Sequence, residues 1–106
     1  MKSEAKPGQE LYSVATGNLN IFIKASREAV KYMSGLEGFM GVHIALNNAG
    51  TLWMFDTLNH AKEARNLARA QGIQCGTNIC RFVVAADGVP VADEEWVCTN
   101  GERKGL

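Results

Sequence analysis

No stretch of this chain reaches the roughly 18 to 20 apolar residues that a membrane helix needs, and the opening residues, MKSEAKPGQE, are polar where a secretory leader would be apolar. Neither sign of charge is in excess: 11 Lys and Arg stand against 11 Asp and Glu in 106 residues. No overall field therefore draws the protein to nucleic acid or to an anionic membrane, although a local basic patch is compatible with that balance. Cysteine is scarce and odd in number. Cys75, Cys80 and Cys98 lack the paired spacing of a zinc site, because the C-x4-C of the first two offers two ligands with no second pair to close a tetrahedral shell. These features predict a cytoplasmic protein with free thiols, no metal, no cofactor and no membrane partner. A Ser/His/Asp set, a Gly-rich phosphate loop and a ligand-bearing HxxxE helix are also missing, as are internal repeats and low-complexity segments. The absences favour binding or assembly over catalysis by a motif enzyme.

What is present is enough apolar residue, 46 % of the chain, for one core of ordinary size. A single domain is expected over residues 11–99, between a flexible N-terminal tail over 1–10 and a flexible C-terminal tail over 100–106. Its organising stretch is VHIALNNAGTLWMFDTL, Val42 to Leu58, two apolar runs joined by Asn-Asn-Ala-Gly, which reads as a β-hairpin. With Asn48, Ala49 and Gly50 as a three-residue loop and Gly50 left-handed, Asn47 pairs with Thr51. Leu46 then faces Leu52 and Ile44 faces Met54, while Ala45 stacks with Trp53 and His43 with Phe55 on the other side. Both faces are largely apolar, so something must cover Trp53 and Phe55: a second subunit, a ligand or the chain's own ends.

Along the rest of the chain, Leu11 to Thr16 could be a short strand and Gly17-Asn18 a turn. LNIFIKA, Leu19 to Ala25, reads either as a helix continuing into Ser26 and beyond or as a strand; its alternation, two isoleucines and a phenylalanine favour the first strand of the main sheet. Ser26 then caps a helix from about Arg27 to Ser34, with Ala29, Val30 and Met33 inward and Gly35 and Gly38 available to end it. Thr57 caps a second helix from Leu58 to about Gln71, with Leu58, Ala61, Ala64, Leu67 and Ala68 inward and Gly72 as terminator. Lys62, Arg65 and Arg69 share its outward face, which reads as a solvated charged surface. After a linker over Gln74 to Asn78, Ile79 to Ala85 is a strand; Asp87-Gly88 is a turn, and Val89 to Val91 returns beside it as an edge, as Pro90 requires.

This order predicts an α+β fold of ferredoxin-like βαββαβ type: a four-stranded antiparallel sheet with two helices on one face and room for extra edge strands at both ends. The expected inward set is Leu19, Ile21, Ile23, Ile44, Leu46, Leu52, Met54, Phe82 and Val84. Phe22, Lys24, His43, Trp53, Phe55, Arg81 and Val83 are left on the uncovered face. From about Leu19 to Ala85 the pattern resembles the dimeric α+β barrel proteins: GLEGFMGVHIAL leads into the hairpin, then an aromatic and Asp-Thr precede an alanine-rich helix ending in Gly-Ile. That resemblance, to a group including antibiotic-biosynthesis-type monooxygenases and haem-degrading relatives, implies two sheets closed face to face and a pocket between sheet and helices. It also implies a polar residue, a tryptophan and a histidine in the site, for which Asn20, Trp53 and His60 are the matching residue types.

The site residues expected for a ligand or an interface are thus Phe22, Lys24, His43, Trp53, Phe55 and Arg81. His43 beside Phe55 could serve as a base or ligand, though a lone histidine on a mixed face is more often merely packed. His60 lies in a first helical turn, where the helix N-terminus disfavours the imidazolium and a neutral ring is plausible, though a histidine there is usually just a capping-region residue. Phe22, Trp53 and Phe55 flanked by Lys24 and Arg81 would also suit base stacking, but TLWMFDTL lacks the glycine and basic residues of an RNP1 strand. An apolar patch on the order of several hundred Å2 is near the largest a monomer carries. A homodimer through that face is therefore the expected partner, with a small-molecule ligand second and nucleic acid after it.

Overall fold

The structure is a computed structural model and describes residues 5–17, 19, 22–44, 50–93, 96–97 and 102–103. Its elements are β1 (Glu10–Thr16), α1 (Lys24–Ser34), β2 (Phe39–Ile44), β3 (Thr51–Phe55), α2 (Leu58–Ala70), β4 (Cys75–Val84), β5 (Pro90–Ala92), β6 (Trp96–Val97) and β7 (Glu102–Arg103). The fold is α+β. Five strands form one antiparallel sheet in the order β2-β3-β1-β4-β5, and β6 pairs with β7 apart from it.

The best-formed helix is α2, and the reason is local. The Thr57 hydroxyl accepts the backbone N–H of His60 at 3.0 Å, satisfying a donor that has no partner within the helix, a contribution of about 1 kcal/mol. Ala61, Ala64 and Ala68 recur at helical spacing and are buried; their methyl groups keep no long side chain between helix and sheet, so the backbone lies close on the strands. Beneath them sit Val14 of β1, Trp53 and Phe55 of β3 and Ile79 of β4, joined by Met33 of α1 and by Phe39. Phe39 meets Phe55 edge to face, with ring centroids 6.1 Å apart, and Trp53 at 6.3 Å, separations at which aromatic quadrupoles attract. The Trp53 indole donates to Thr16 Oγ1 at 2.9 Å, so its burial leaves no orphan N–H.

This geometry corrects which residues form the first strand of the main sheet. The strand at the centre of the sheet is Glu10–Thr16, between β3 and β4, and not Leu19 to Ala25. Of the latter, Lys24 and Ala25 open α1, Phe22 and Ile23 form the turn before it, and Leu19 is in no regular element; Asn18, Asn20 and Ile21 lie outside the described residues. The helix-forming run Lys24, Ala25, Arg27, Glu28 and Ala29 outweighs the short alternation before it. The cap position is accordingly Ile23, with no side-chain cap bond, rather than Ser26. β4 begins at Cys75 and absorbs most of the expected linker, and the edge strand beyond Asp87-Gly88 is Pro90–Ala92. Residues expected in a loose tail are tied down: Gly8 N–H donates to the Val84 carbonyl at 2.7 Å and Val84 N–H to that of Gln9 at 2.9 Å.

The hairpin register also differs. Val42 stands opposite Trp53, His43 opposite Leu52 and Ile44 opposite Thr51, with an irregularity between Phe39 and Gly41; Ala45, Leu46, Asn47, Asn48 and Ala49 lie outside the described residues. Gly50 has φ +153, and a Cβ there would stand 2.8 Å from the Thr16 carbonyl oxygen, so glycine is required by the close approach of β1. The displacement is odd, so His43 shares a face with Leu52 instead of Phe55, and β3 and β4 present to the helices the face expected to be uncovered. Trp53 and Phe55, expected on the uncovered face with Arg81 and Val83, lie under the helices, while Leu52, Met54 and Phe82 occupy the other face.

If the helices cover Trp53 and Phe55, then Trp53→Ala or Phe55→Ala should cost about 3 to 5 kcal/mol in urea unfolding, against about 0.5 kcal/mol or less for Phe22→Ala. A Trp53→Ala cost similar to that of Phe22→Ala would show that Trp53 is not core.

Candidate functional site

Of the six residues expected to form one surface, the structure brings few together. Trp53 and Phe55 are 0 % exposed and belong to the core. Phe22 and Lys24 lie at the start of α1 and face solvent, Phe22 at 87 % exposure. His43 lies on the opposite side of the sheet from Trp53, as its pairing with Leu52 requires. Arg81 is taken up in a local network: its guanidinium binds Asp93 through Nε at 2.8 Å and through Nη2, and approaches Glu10 Oε2 at 3.1 Å. Tyr12 donates to the same Glu10 carboxylate at 3.2 Å. Partial burial would lower the Arg81 pKa, but the bond to Asp93 and the charge of Glu10 outweigh it and hold the guanidinium protonated.

The face turned away from the helices carries the more suggestive cavity. Leu11, Met54 and Val84 are buried there, with Ala5, Met40, Leu52 and Phe82 packed around them. A groove of about 360 Å3 is lined by Ala5, Leu11, Met40, Gly41, His43, Met54, Gly88 and Pro90. Four segments build it: the N-terminal stretch, β2, the centre of the sheet and the turn between β4 and β5. Such a volume lies at the small end of the range for ligand pockets, roughly 300 to 1,000 Å3. Its walls are aliphatic and thioether, adaptable surfaces for an apolar body, and His43 is the titratable group on its rim.

A second cluster was only half legible. His60 stands out in the sequence as a histidine in a first helical turn, whereas nothing there links it to Asp56 or Glu37. In the structure His60 Nδ1 lies 2.6 Å from Asp56 Oδ1 and Nε2 lies 3.8 Å from Glu37 Oε1. The hydrogen bond to Asp56 raises the His60 pKa above its ordinary 6.5, against the opposing effect of burial and with help from the charges of Asp56, Glu37 and Glu63. The expectation of a neutral imidazole is thereby corrected: nearby carboxylates outweigh the helix dipole. Gly38 makes the cluster sterically possible. At φ +84 its missing Cβ would press on Asp56 Oδ1 and stand 2.8 Å from His60 Cβ, and its carbonyl accepts the Asp56 N–H at 2.9 Å.

The trio implied by the barrel resemblance does not come together. Asn20 lies outside the described residues, the Trp53 indole is engaged by Thr16, and His60 is in the first turn of α2. Thr16 is at the other end of that helix, in a cleft with Gly72, Ile73 and Gln74. Nor do all the expected solvated cations stand free on α2: Arg65 Nη1 donates to the Thr77 carbonyl at 2.6 Å and Arg69 Nη2 to that of Cys75 at 3.2 Å, strapping the helix to β4. Cys75 is a free, half-buried thiol whose pKa burial pushes up. Cys80 is disulfide-bonded, against the expectation of a free thiol. Among the described residues no group of three or more His, Cys, Asp and Glu side chains is placed to hold a metal ion, and no helix is long and apolar enough to cross a membrane.

No family model matches the chain, and no curated protein or solved structure matches it.

The raised pKa gives His60 a signed effect on stability. The gain from its protonated contacts is fully present below the unfolded value near 6.5 and is lost as pH rises through the higher folded value. In thermal unfolding across pH, wild type should therefore exceed His60→Gln by most in mildly acid solution, and the gap should shrink towards alkaline pH. A gap that widens with pH would overturn the assignment.

Proposed function

We propose that this chain is a binding and assembly module, ferredoxin-like in plan, that pairs with a second copy through the sheet face turned away from the helices and holds a small ligand in the groove there. The groove of about 360 Å3 beneath Met40, Met54 and His43 carries the reading. Its apolar walls suit an apolar or aromatic body, and a second sheet laid over Leu52 and Phe82, both half-buried, would enclose it. The order β2-β3-β1-β4, with both helices contributing to the core on one side, supports the ferredoxin-like plan, with β5 as the added edge strand. The expected face is exchanged for its opposite; the reason for expecting a partner, an apolar sheet surface, is unchanged.

An acid–base enzyme is the second reading, favoured by the Asp56–His60 pair, in which a carboxylate on Nδ1 fixes the ring and turns Nε2 towards the exposed carboxylate of Glu37. Single-stranded nucleic acid is disfavoured at the sheet, since Trp53 and Phe55 offer no face to a base.

Two measurements test the first reading. Light scattering at micromolar concentration should give twice the chain mass of 11.5 kDa, and Leu52→Asp with Phe82→Asp should reduce it to that mass. Titration with indole as a probe should shift the Met40 and Met54 methyl resonances saturably while leaving Met33, on the helix side, unmoved. A monomeric wild type removes the assembly half of the reading, and unshifted methionines remove the ligand half.

A further inference from the structure

The groove under Met40 and Met54 is one-sided in its chemistry, and that limits what it can hold. Leu11 and Met54 are buried and Met40 and Pro90 half-buried, so its floor and walls are hydrocarbon and thioether. Of the side chains that line it, His43 alone carries nitrogen or oxygen, and it stands exposed at the rim. Among the described residues its ring makes no hydrogen bond or ion pair. The pairing of β2 with β3 sets Gly41 opposite Met54 and His43 opposite Leu52, which places the ring and the floor on one face of the sheet. Gly41, beside both, leaves open space, because a Cβ there would meet nothing within 4 Å.

Each class of ligand meets that lining differently. An amine would find no carboxylate among the lining side chains. A sugar would turn most of its hydroxyls against methionine and leucine, where the bonds lost to water go unreplaced. A phosphate needs several converging donors to replace its hydration, and one imidazole is too few. An apolar acid fits: its body leaves water against Leu11, Met40 and Met54, while its carboxylate takes one donor at the rim and keeps its second oxygen in solvent. Given the groove as a ligand site, as proposed above, we propose that it is selective for small apolar monocarboxylates and that His43 is the residue that recognises the carboxylate. The ring donates from one nitrogen when neutral, and from both, with a positive charge, when protonated. At an exposed rim such a pair adds about a fivefold gain in affinity at most.

The test is titration of the full chain with three probes built on one ring system, the anionic indole-3-acetate, the neutral 3-ethylindole and the cationic tryptamine, read by the Met40 and Met54 methyl resonances. Indole-3-acetate is expected to bind about fivefold more tightly than 3-ethylindole, and tryptamine no more tightly than it. Added salt should narrow the gap between acid and neutral probe. In His43→Ala the two should bind alike; His43 is exposed, so the substitution is not expected to disturb the core. The ratio of the two affinities is the readout, because loss of the ring's packing alone would weaken both probes together and leave the ratio standing. Equal affinities in the wild type, or a preference for the acid that survives in His43→Ala, would overturn the inference while leaving the groove a ligand site. Methionines unmoved by all three probes would remove the site itself and the inference with it.

Discussion

The burial of Trp53 under the alanine ridge of α2 is the contact on which the rest of the arrangement depends. A tryptophan removes about 150 to 250 Å2 from water, worth about 4 to 6 kcal/mol gross, against a net stability of about 5 to 15 kcal/mol for a typical domain. That gain is available only where no long side chain intervenes, and Ala61, Ala64 and Ala68 provide the space. Once Trp53 faces the helices, period-two alternation puts Leu52 and Met54 on the other side. The neighbouring strands follow through the pairs Val14–Trp53 and Val14–Ile79. The indole N–H then needs a partner, and Thr16, at the end of the neighbouring strand, accepts from it.

How much of this the sequence revealed depended on whether a feature is local. The cap at Thr57, the alanine face of α2, the stop at Gly72 and the Asp87-Gly88 turn are encoded by adjacent residues and were all legible. The hairpin was legible as a hairpin, but not its register. Both of its faces are apolar, so alternation could not tell which one meets the helices, and the loop length had to be guessed from Gly50. That glycine answers to the Thr16 carbonyl, a contact across the sheet that no reading of the hairpin alone could supply. An error of three residues, Val42 for Ala45 opposite Trp53, is odd, so it moved β2 to the other face relative to β3: His43 stays on the face away from the helices, while Trp53 and Phe55 of β3 and Arg81 of β4 lie on the helix side.

The other misreadings share that origin. LNIFIKA has the composition of a strand, yet the centre of the sheet goes to Glu10–Thr16, whose Leu11, Ser13 and Val14 are small or apolar enough to be buried on both faces. Ser13 is buried there because its hydroxyl donates to the Cys80 carbonyl at 3.3 Å and is satisfied where it lies. Arg65 and Arg69 occupy the outward side of α2 by helical geometry, but long side chains reach around a helix, and exposed-strand carbonyls at Thr77 and Cys75 are better partners than water alone. The disulfide at Cys80 joins positions whose proximity is a property of the fold, so spacing could not reveal it. It also weakens the inference of a reducing compartment, which rested on free thiols.

The same layering determines which surfaces are left open. The helix-side core is filled by Trp53, Phe55 and Met33, leaving two surfaces on opposite sides of the domain. One is the sheet face with its groove under Met40 and Met54; the other is the outer side of α1, whose lysines and arginine are exposed. Contacts on one do not obstruct the other, because the helix layer and the sheet lie between them. The Asp56–His60–Glu37 cluster sits at the seam between these layers: Asp56 and His60 flank the first turn of α2, while Glu37 and Gly38 belong to the turn joining α1 to β2. Proton loss from His60 weakens its attraction to Glu37 and so acts on the connection between α1 and the edge strand that lines the groove. A titration at that seam acts on the join between α1 and β2 and leaves the core contact at Trp53 untouched, because Trp53 is held by Thr16 and by the alanines of α2, none of them a hydrogen-bond partner of the imidazole.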